Sequence, residues 1–325
     1  MIDNDGGGFG PKLRRALRNP STMGLAILVV LLVVNVALQP DFFSRDILTS
    51  NFMSFTPLIF AALAQGIIIL SGSVDLSIGA AMSFYTIVGA SMMTDTNVWL
   101  IVGLGLVTSI VIGGFNGLLI GRLRLPPFIS TFATSGIVLG STIIIMPIPG
   151  GYVPKFFYKA YRSAFLGVIP MPVVILLIGL AVWVVVSRTA FYRHLYAVGG
   201  DEKSAFASGI KLNRVRLLAH VFAGVFVGLG GMCLLMLTAS GEYRSGMAYS
   251  LNSIAAVVIG GIAMSGGRGN ILGAIVGALI LGLLNNIIFF ANVPSFYQNF
   301  FRGMIVIFSL SLGTLTRLRE LRTQL

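Results

Sequence analysis

Residues 253–286 read SIAAVVIGGIAMSGGRGNILGAIVGALILGLLNN, two apolar runs joined by a short glycine-rich loop whose single charge is Arg268. Glycine recurs in both runs, and Gly273 and Gly277 lie four residues apart in the second run. In a lipid bilayer, small residues at this spacing let helix backbones approach closely, because van der Waals packing drives the association there. The stretch therefore predicts a membrane hairpin that packs tightly against other protein, with Gly273 and Gly277 at a helix contact.

The composition of the whole chain agrees with a membrane protein. Hydrophobic residues make up 56% and charged residues 10% of the 325 residues, and the mean hydropathy is +0.94, values that exclude an ordinary soluble domain. Helices are expected rather than a barrel, because the apolar runs lack polar alternation and are long enough to cross a hydrocarbon core about 30 Å thick. We predict an all-α polytopic protein with ten spans, at 21–38, 54–71, 78–93, 98–121, 125–147, 166–187, 216–238, 252–264, 271–291 and 298–314.

The basic residues predict the orientation. Most of the 22 lysines and arginines fall in the two tails and in the loops on one side of the predicted spans. Such an excess marks the cytoplasmic side, so both termini are expected in the cytoplasm. The chain then divides into a basic N-terminal tail at 1–20, a membrane domain at 21–314 and a basic C-terminal tail at 315–325. The net charge of +12 is interpreted as a topology signal and not as a nucleic-acid surface, because the charges lie in short separate loops.

The two halves of the chain resemble each other weakly. Residues 115–120 read FNGLLI and are followed by PPFI at 126–129, while residues 284–289 read LNNIIF and are followed by PSFY at 294–297. If spans 1–5 and 6–10 are repeats, the odd number of crossings makes them inverted relative to each other, an arrangement typical of transporters. The alternative is that apolar sequences resemble one another by composition alone.

Side-chain amides inside the spans are candidates for a solute path. An amide offers donors and an acceptor without bringing a charge into the membrane, which suits a neutral polyhydroxylated solute. Hydrogen bonding between helices is an equally good explanation for any one of these amides. The candidate residues of the path are Gln65, Asn116, Phe128, Asn285 and Asn286.

Asp75 is the single acidic residue between Asp46 and Asp95, at the junction of the second and third spans. We predict that Asp75 and Ser77 cap the third helix, because side-chain oxygens there satisfy unpaired backbone N–H groups. Direct contact with a solute is the alternative for Asp75.

Two further stripes of glycine, one on the fourth span and one on the seventh, predict close helix packing rather than a pore lining. Their members are Gly113, Gly117 and Gly121 in the fourth span and Gly224 and Gly228 in the seventh.

The segment 188–215, here called the cytoplasmic loop, is the longest connection on the cytoplasmic side. It contains a predicted short helix after Gly199 and Gly200, with Gly209 as its stop. A small-residue helix exposed to the cytoplasm is typical of a docking element for another protein, and a solvated connection is the alternative. The candidate docking residues are Gly200, Asp201, Glu202, Ala205, Ser208 and Gly209.

Sequence motifs for catalysis are absent. The chain has no HExxH motif, no nucleophile elbow and no G-x-x-x-x-G-K-[ST] loop, and its two histidines have no metal-ligand spacing. We therefore expect no enzymatic activity, no bound cofactor and no metal. The predicted spans also lack interior carboxylates, which counts against an ion-coupled carrier, the first alternative. A membrane scaffold or an intramembrane enzyme is the second alternative.

Three blocks of sequence resemble the membrane permeases of bacterial monosaccharide ABC importers of the ribose, xylose and arabinose type. They are ILSGSVDLSIG at 69–79, YAVGGDE with SGI at 196–210, and the hairpin at 254–286 with FYQ at 296–298. The blocks occur in order across most of the chain, and the family resemblance rests on their joint occurrence.

The resemblance implies properties that the residues alone do not. Two permeases would form the pore, ATPase subunits that bind ATP would dock on the cytoplasmic loops, and a periplasmic sugar-binding protein would deliver the solute. The cytoplasmic loop would contain the coupling helix, in a multi-pass protein of the bacterial inner membrane. The chain departs from the pattern at residues 251–253, which read LNS where such permeases usually carry acidic residues. Both a second copy and a paralogue therefore remain open as the partner permease.

Overall fold

The structure is a computed structural model that describes residues 20–292 together with residues 294, 297, 300, 303 and 304. The predicted N-terminal tail up to residue 19, almost all of the predicted tenth span and the C-terminal tail lie outside these residues. The helices are α1 (Pro20–Leu38), α2 (Arg45–Leu70), α3 (Ile78–Met92), α4 (Val98–Gly121), α5 (Pro127–Ile145), α6 (Lys155–Arg162), α7 (Met171–Ser187), α8 (Ala190–Gly200), α9 (Glu202–Ala207), α10 (Leu212–Thr238), α11 (Met247–Ile259) and α12 (Ile271–Phe290).

Several of these helices are long and apolar enough to cross a membrane. Among the described residues, α2, α4, α5, α10 and α12 meet this criterion, and α7 with α8, bent by 79°, makes a sixth candidate if the pair is one broken span. Three apolar helices are shorter, namely α1, α3 and α11. The structure is thus that of a mostly helical polytopic membrane protein, and the short spans predicted at 78–93 and 252–264 correspond to α3 and α11.

Helix α2 begins earlier than predicted, at Arg45 rather than at residue 54. Its first turns contain polar residues that the apolar pattern excluded. These residues fit the helix because a hydroxyl such as that of Thr49 donates to the carbonyl oxygen of Arg45, four residues earlier, at 2.8 Å. Ser44 caps the helix by accepting from the amide of Ile47 at 3.5 Å.

The core is built around α2 and α10. In α2, 94% of the apolar stretch is buried, compared with 61% in α10 and about a third in α4. The two helices pack against each other, and the rings of Phe60 and Phe226 stack with centroids 6.4 Å apart. Helix α10 also packs along α4, so it is in contact with both the core helix and an outer helix.

A two-stranded antiparallel sheet corrects the all-α prediction and the start of the sixth span. Its strands are β1 (Ala164–Phe165) and β2 (Ile169–Pro170). The turn between them contains Leu166 and Gly167 with positive φ angles of 51° and 72°, the left-handed conformation that tight hairpin turns require. Helix α7 therefore starts at Met171 and not at residue 166.

Candidate functional site

Helices α3 and α11 begin next to each other inside the protein. The amide of Gly79 donates to the hydroxyl of Ser250 at 2.9 Å, and the amide of Gly246 donates to the hydroxyl of Ser83 at 2.9 Å. Each helix start is thus held by a buried serine of the other helix. This pair of helix starts is called the α3–α11 junction below.

The position of the junction follows from the path of residues 241–246 beside α3. Gly241 lies against Ala90 near the end of α3, whereas Gly246 lies against Gly79 at its start. At about 1.5 Å per helical residue, the separation of Ala90 from Gly79 is about 16 Å. Residues 241–246 therefore run back along α3, from its end to its start.

Asp75 lies buried immediately before α3, with 3% of its surface exposed. Its Oδ1 accepts from the backbone amide of Ser77 at 2.6 Å and from the Ser77 hydroxyl at 2.7 Å, and its Oδ2 accepts from Asn116 Nδ2 at 3.2 Å. Ser77 occupies the N-cap position, but its side chain makes no capping hydrogen bond. The capping prediction is therefore wrong for the Ser77 side chain, because Asp75 takes up its hydroxyl hydrogen and Asn116 donates to its oxygen at 2.8 Å.

Two of the five candidate path residues converge on Asp75. Asn116 is fully buried on α4. Gln65, also fully buried, lies on α2, and in the amide orientation that satisfies both of its polar atoms it donates to the Asp75 carbonyl at 3.0 Å and accepts from the Asp75 amide at 3.3 Å. The side chains of α2 and α4 thus fix the backbone and the carboxylate of Asp75.

The other three candidates lie elsewhere. Phe128 is 62% exposed at the start of α5. Asn285 and Asn286 are partly buried near the end of α12, where Asn286 donates to the side chain of Asn51 at 2.9 Å. The structure therefore does not bring the five residues to one surface. The hydrogen bonds of Gln65, Asn116 and Asn286 fit the alternative to a solute path, in which these amides join elements of the protein to one another.

Three residues near Asp75 were not singled out from the sequence. Thr131 on α5 accepts from the amide of Leu76 at 3.1 Å, and Ser250 donates to the Leu76 carbonyl at 2.8 Å. His220 on α10 is fully buried and lines a cavity together with Asp75. An ionisable residue inside an apolar run was the available signal for His220, since such residues are costly to bury in a membrane without a role.

The two glycine stripes face each other across the contact of α4 with α10. A methyl group at Gly113 would fall against the carbonyl oxygen of His220, and one at Gly121 would fall 2.8 Å from the carbonyl oxygen of Asn213. On α10, a methyl group at Gly224 would lie 2.7 Å from the α-carbon of Ile110. Gly117 and Gly228 meet Leu217 and Leu106 in the same way. The stripes therefore allow the two backbones to touch.

The hairpin formed by α11 and α12 also packs by glycine contacts. Gly273 lies against the carbonyl of Gly260, and Gly277 lies against the carbonyl of Ala256. The hairpin loop then reaches the end of α2, where the Gly267 amide donates to the carbonyl of Leu70 at 3.1 Å. Gly199, at the end of α8, lies against the same carbonyl and against the Gly267 amide, so the ends of α2 and α8 meet the hairpin loop.

The segment 188–215 contains the predicted short helix as α9, preceded by α8. Asp201 caps α9 by accepting from the amides of Lys203 and Ser204 at 2.9 and 3.4 Å. A hydrogen bond from the Ser204 hydroxyl and these two backbone bonds hold the pKa of the Asp201 carboxyl below its usual value. Gly200 is the last residue of α8, Ser208 is the C-cap of α9, and Gly209 has a φ of 80°.

The side chains of α9 divide into a buried and an exposed set. Ala205 is 4% exposed and Phe206 is 71% exposed. The expectation that Ala205 lies on an exposed face is therefore wrong, because this residue faces the protein. Phe206, which the sequence analysis did not single out, is exposed on α9. Glu202 accepts from Arg216 at 2.7 Å in an ion pair that ties α9 to α10.

Comparison with known proteins gives consistent matches over most of the chain. Residues 47–310 match the family model described as branched-chain amino acid transport system / permease component. The ribose import permease protein of Bacillus subtilis (strain 168) is 35% identical over 302 residues, which is 89% of this chain and 90% of that protein.

Two further relatives cover similar shares. The D-allose transport system permease protein of Escherichia coli (strain K12) is 30% identical over 89% of this chain and 90% of its own length. The autoinducer 2 import system permease protein of Klebsiella pneumoniae is 29% identical over 91% of this chain and 86% of its own length. No solved structure matches the chain.

Proposed function

We propose that this chain forms the solute pathway of a sugar importer driven by separate ATPase subunits. The premise is that the chain belongs to the family of transport-system permease components. The membership confirms the resemblance noted in the sequence: the chain is a permease subunit of an import system and a multi-pass protein of the inner membrane. The observation that carries the sugar class is the set of relatives that match along nearly their whole length. Their names specify ribose, allose and autoinducer 2.

The proposed partners are two ATPase subunits and a periplasmic binding protein. Support for the ATPase contact comes from α9, which is short, tied to α10 through the Glu202–Arg216 ion pair and exposes Phe206. Aromatic residues, phenylalanine included, are enriched in the cores of protein interfaces. ATP would be bound by the partner, since this chain has no Walker A sequence.

The proposed architecture has ten spans in two inverted halves, with both termini in the cytoplasm. In such an arrangement α3 and α11 are the third and eighth spans and so occupy equivalent places in the two halves. Support comes from the α3–α11 junction, where each helix start donates a backbone N–H to a serine of the other helix. Reciprocal contacts of this kind are expected when two equivalent elements meet at a pseudo-two-fold axis.

We further propose that a second permease, either another copy or a paralogue, completes the pathway. Met247 and Leu251 are 49% and 62% exposed on α11, beside the junction. A second chain packed on this side would cover these residues and place the junction close to the pathway. The solute path would then lie between two chains rather than within one.

The first experiment is co-purification of the tagged full-length chain in mild detergent after cross-linking, with mass spectrometry of the recovered proteins. We expect an ATPase carrying a G-x-x-x-x-G-K-[ST] loop, together with either this permease alone or a second one. Recovery of the chain without any ATPase would contradict the proposal. Uptake of labelled ribose, with labelled leucine as the control solute, then tests whether the solute is a sugar or a branched-chain amino acid, the solute class in the description of the family model.

One observation favours a second candidate, an ion-coupled carrier. Asp75 and His220 are buried ionisable side chains that line the same cavity, and ionisable residues inside a membrane protein mark proton and ion pathways. Uptake by cells expressing the transporter separates the two mechanisms. An ATP-driven importer continues to accumulate solute when an ionophore collapses the ion gradients but stops when ATP is depleted, and the carrier behaves in the opposite way.

A further inference from the structure

A small cavity lies between α3, α4 and α10, next to Asp75. Its polar lining consists of Asp75, Ser77, Ser109 and His220, and Ile78 and Val227 belong to its apolar wall. The cavity leaves about 10 Å³ of space for the centre of a water molecule. This is about the space that one water needs. Glycines 113 and 224, which bring α4 and α10 into contact, also border the cavity.

His220 presents an unpaired nitrogen in this buried region. Its Nδ1 lies 2.9 Å from the carbonyl oxygen of Arg216, and because a carbonyl only accepts, Nδ1 carries the hydrogen. In the neutral ring, Nε2 is then an acceptor. Nε2 has no hydrogen-bond partner although the residue is fully buried, and a buried polar atom without a partner is costly and calls for an explanation.

Asp75, in the wall of the same cavity, is also an acceptor. Its carboxylate accepts three hydrogen bonds, two from Ser77 and one from Asn116. A carboxylate has about four acceptor positions, so one remains. Two acceptors cannot bond to each other directly, but a ligand with two donor hydrogens can satisfy both.

We propose that this cavity binds one water molecule, which donates one hydrogen to His220 Nε2 and the other to the Asp75 carboxylate. A hard metal cation fits less well, since it requires six or more oxygen ligands and this wall supplies an imidazole nitrogen at the position in question. Both partners of the water are buried, Asp75 nearly and His220 fully. The hydrogen bond to the Arg216 carbonyl sets the tautomer of His220.

The position of the water also gives it a role in coupling movement of α9 to the α3–α11 junction, and this role rests on the proposed function. Glu202 of α9 pairs with Arg216, and the carbonyl of Arg216 holds His220. The water extends this line of contacts to Asp75, and Asp75 is fixed to α4 and to the start of α3. Movement of α9 would thus reach the α3–α11 junction through one bridging molecule.

The test is a density map of the full transporter complex at a resolution that shows ordered internal waters. We expect a peak within hydrogen-bonding distance of both His220 Nε2 and Asp75. The peak should disappear in His220→Leu, which lacks an acceptor, and remain in His220→Gln and in Leu218→Ala, a control on the exposed side of α10. Absence of the peak while other internal waters are visible, persistence of it in His220→Leu, or metal-like contact distances would each overturn the proposal.

The role in coupling has its own readout, the number of ATP molecules hydrolysed per solute imported in proteoliposomes. We expect His220→Leu to raise this ratio several-fold while the ATPase subunits still co-purify, and Leu218→Ala to leave it unchanged. An unchanged ratio in His220→Leu would overturn the role in coupling and leave the water site standing. Failure of the wild-type chain to recover an ATPase would instead contradict the proposed function.

Discussion

The backbone amide of Gly79, in the first turn of α3, donates to the hydroxyl of Ser250, in the first turn of α11, at 2.9 Å. The same hydroxyl donates to the carbonyl oxygen of Leu76 at 2.8 Å. One buried serine therefore joins a residue that precedes α3 to a residue inside it. The contact spans 171 positions of sequence and fixes the place where two short helices begin.

Ser250→Ala should destabilise the protein, because it leaves the amide of Gly79 and the carbonyl of Leu76 without this partner. Each buried polar group left unpaired costs about 1–3 kcal/mol. We expect a lower melting temperature of the purified protein in detergent. Ser54→Ala, which removes an exposed hydroxyl bonded within its own helix, is the control and should melt as the wild type does. Equal melting of both variants would contradict the importance of the junction.

Gly113→Ala should destabilise the contact of α4 with α10. The added methyl group would fall against the carbonyl oxygen of His220, and overpacking of this kind typically costs about 1–3 kcal/mol. The control is Gly103→Ala on the same helix, where a methyl group would meet nothing within 4 Å. Because alanine favours helices by about 0.5–1 kcal/mol over glycine, the control should be as stable as the wild type or more so. The measurement is the melting temperature of the two variants and the wild type, and a Gly113→Ala variant as stable as Gly103→Ala would contradict the prediction.

Phe206→Asp should weaken the binding of the ATPase subunits while the permease still inserts and folds. Phe206 is 71% exposed, and truncating a central aromatic anchor typically costs about 2 kcal/mol or more, which predicts at least about a tenfold loss of recovered ATPase. The control is Leu166→Asp in the β1–β2 turn, a residue that is 82% exposed and placed by the proposed topology on the opposite side. Undiminished recovery with Phe206→Asp would remove α9 from the docking surface.

Acidification should loosen the start of α9. The pKa of Asp201 is lowered in the folded protein by hydrogen bonds from the Ser204 hydroxyl and from the amides of Ser204 and Lys203. A lowered folded pKa means that the cap contributes stability above the unfolded value of 3.8 and loses it as the pH falls below that value.

Amide hydrogen exchange of residues 202–209, compared between wild type and Asp201→Asn, measures the effect. Asparagine keeps an acceptor oxygen but does not titrate, so we expect the protection of the wild type to approach that of the variant as the carboxyl becomes protonated. Parallel exchange profiles at all pH values between 6 and 3 would contradict a titrating cap.

Local patterns predicted much of this protein. Apolar runs gave helices at the first nine predicted spans, since a backbone in lipid must satisfy its own hydrogen bonds. Glycine spacing predicted close packing, and the break at Gly199 and Gly200 with a stop at Gly209 predicted a short helix in the segment 188–215. The start of α2 and the β1–β2 hairpin were missed, because hydroxyl back-bonding and a left-handed turn do not change the hydropathy on which the spans were based.

The sequence by itself determined the class of protein, most of its helices and, through three blocks of residues, its family, because these depend on composition and on neighbours along the chain. The tertiary structure alone decided the partners of the polar residues. It placed Gln65 and Asn116 on Asp75 and turned Ala205 inward and Phe206 outward. It also brought His220 to the same cavity as Asp75, 145 positions away in sequence. A buried polar atom is stabilised by whichever group the fold brings within hydrogen-bonding distance, and that distance depends on how α3, α4, α10 and α11 pack.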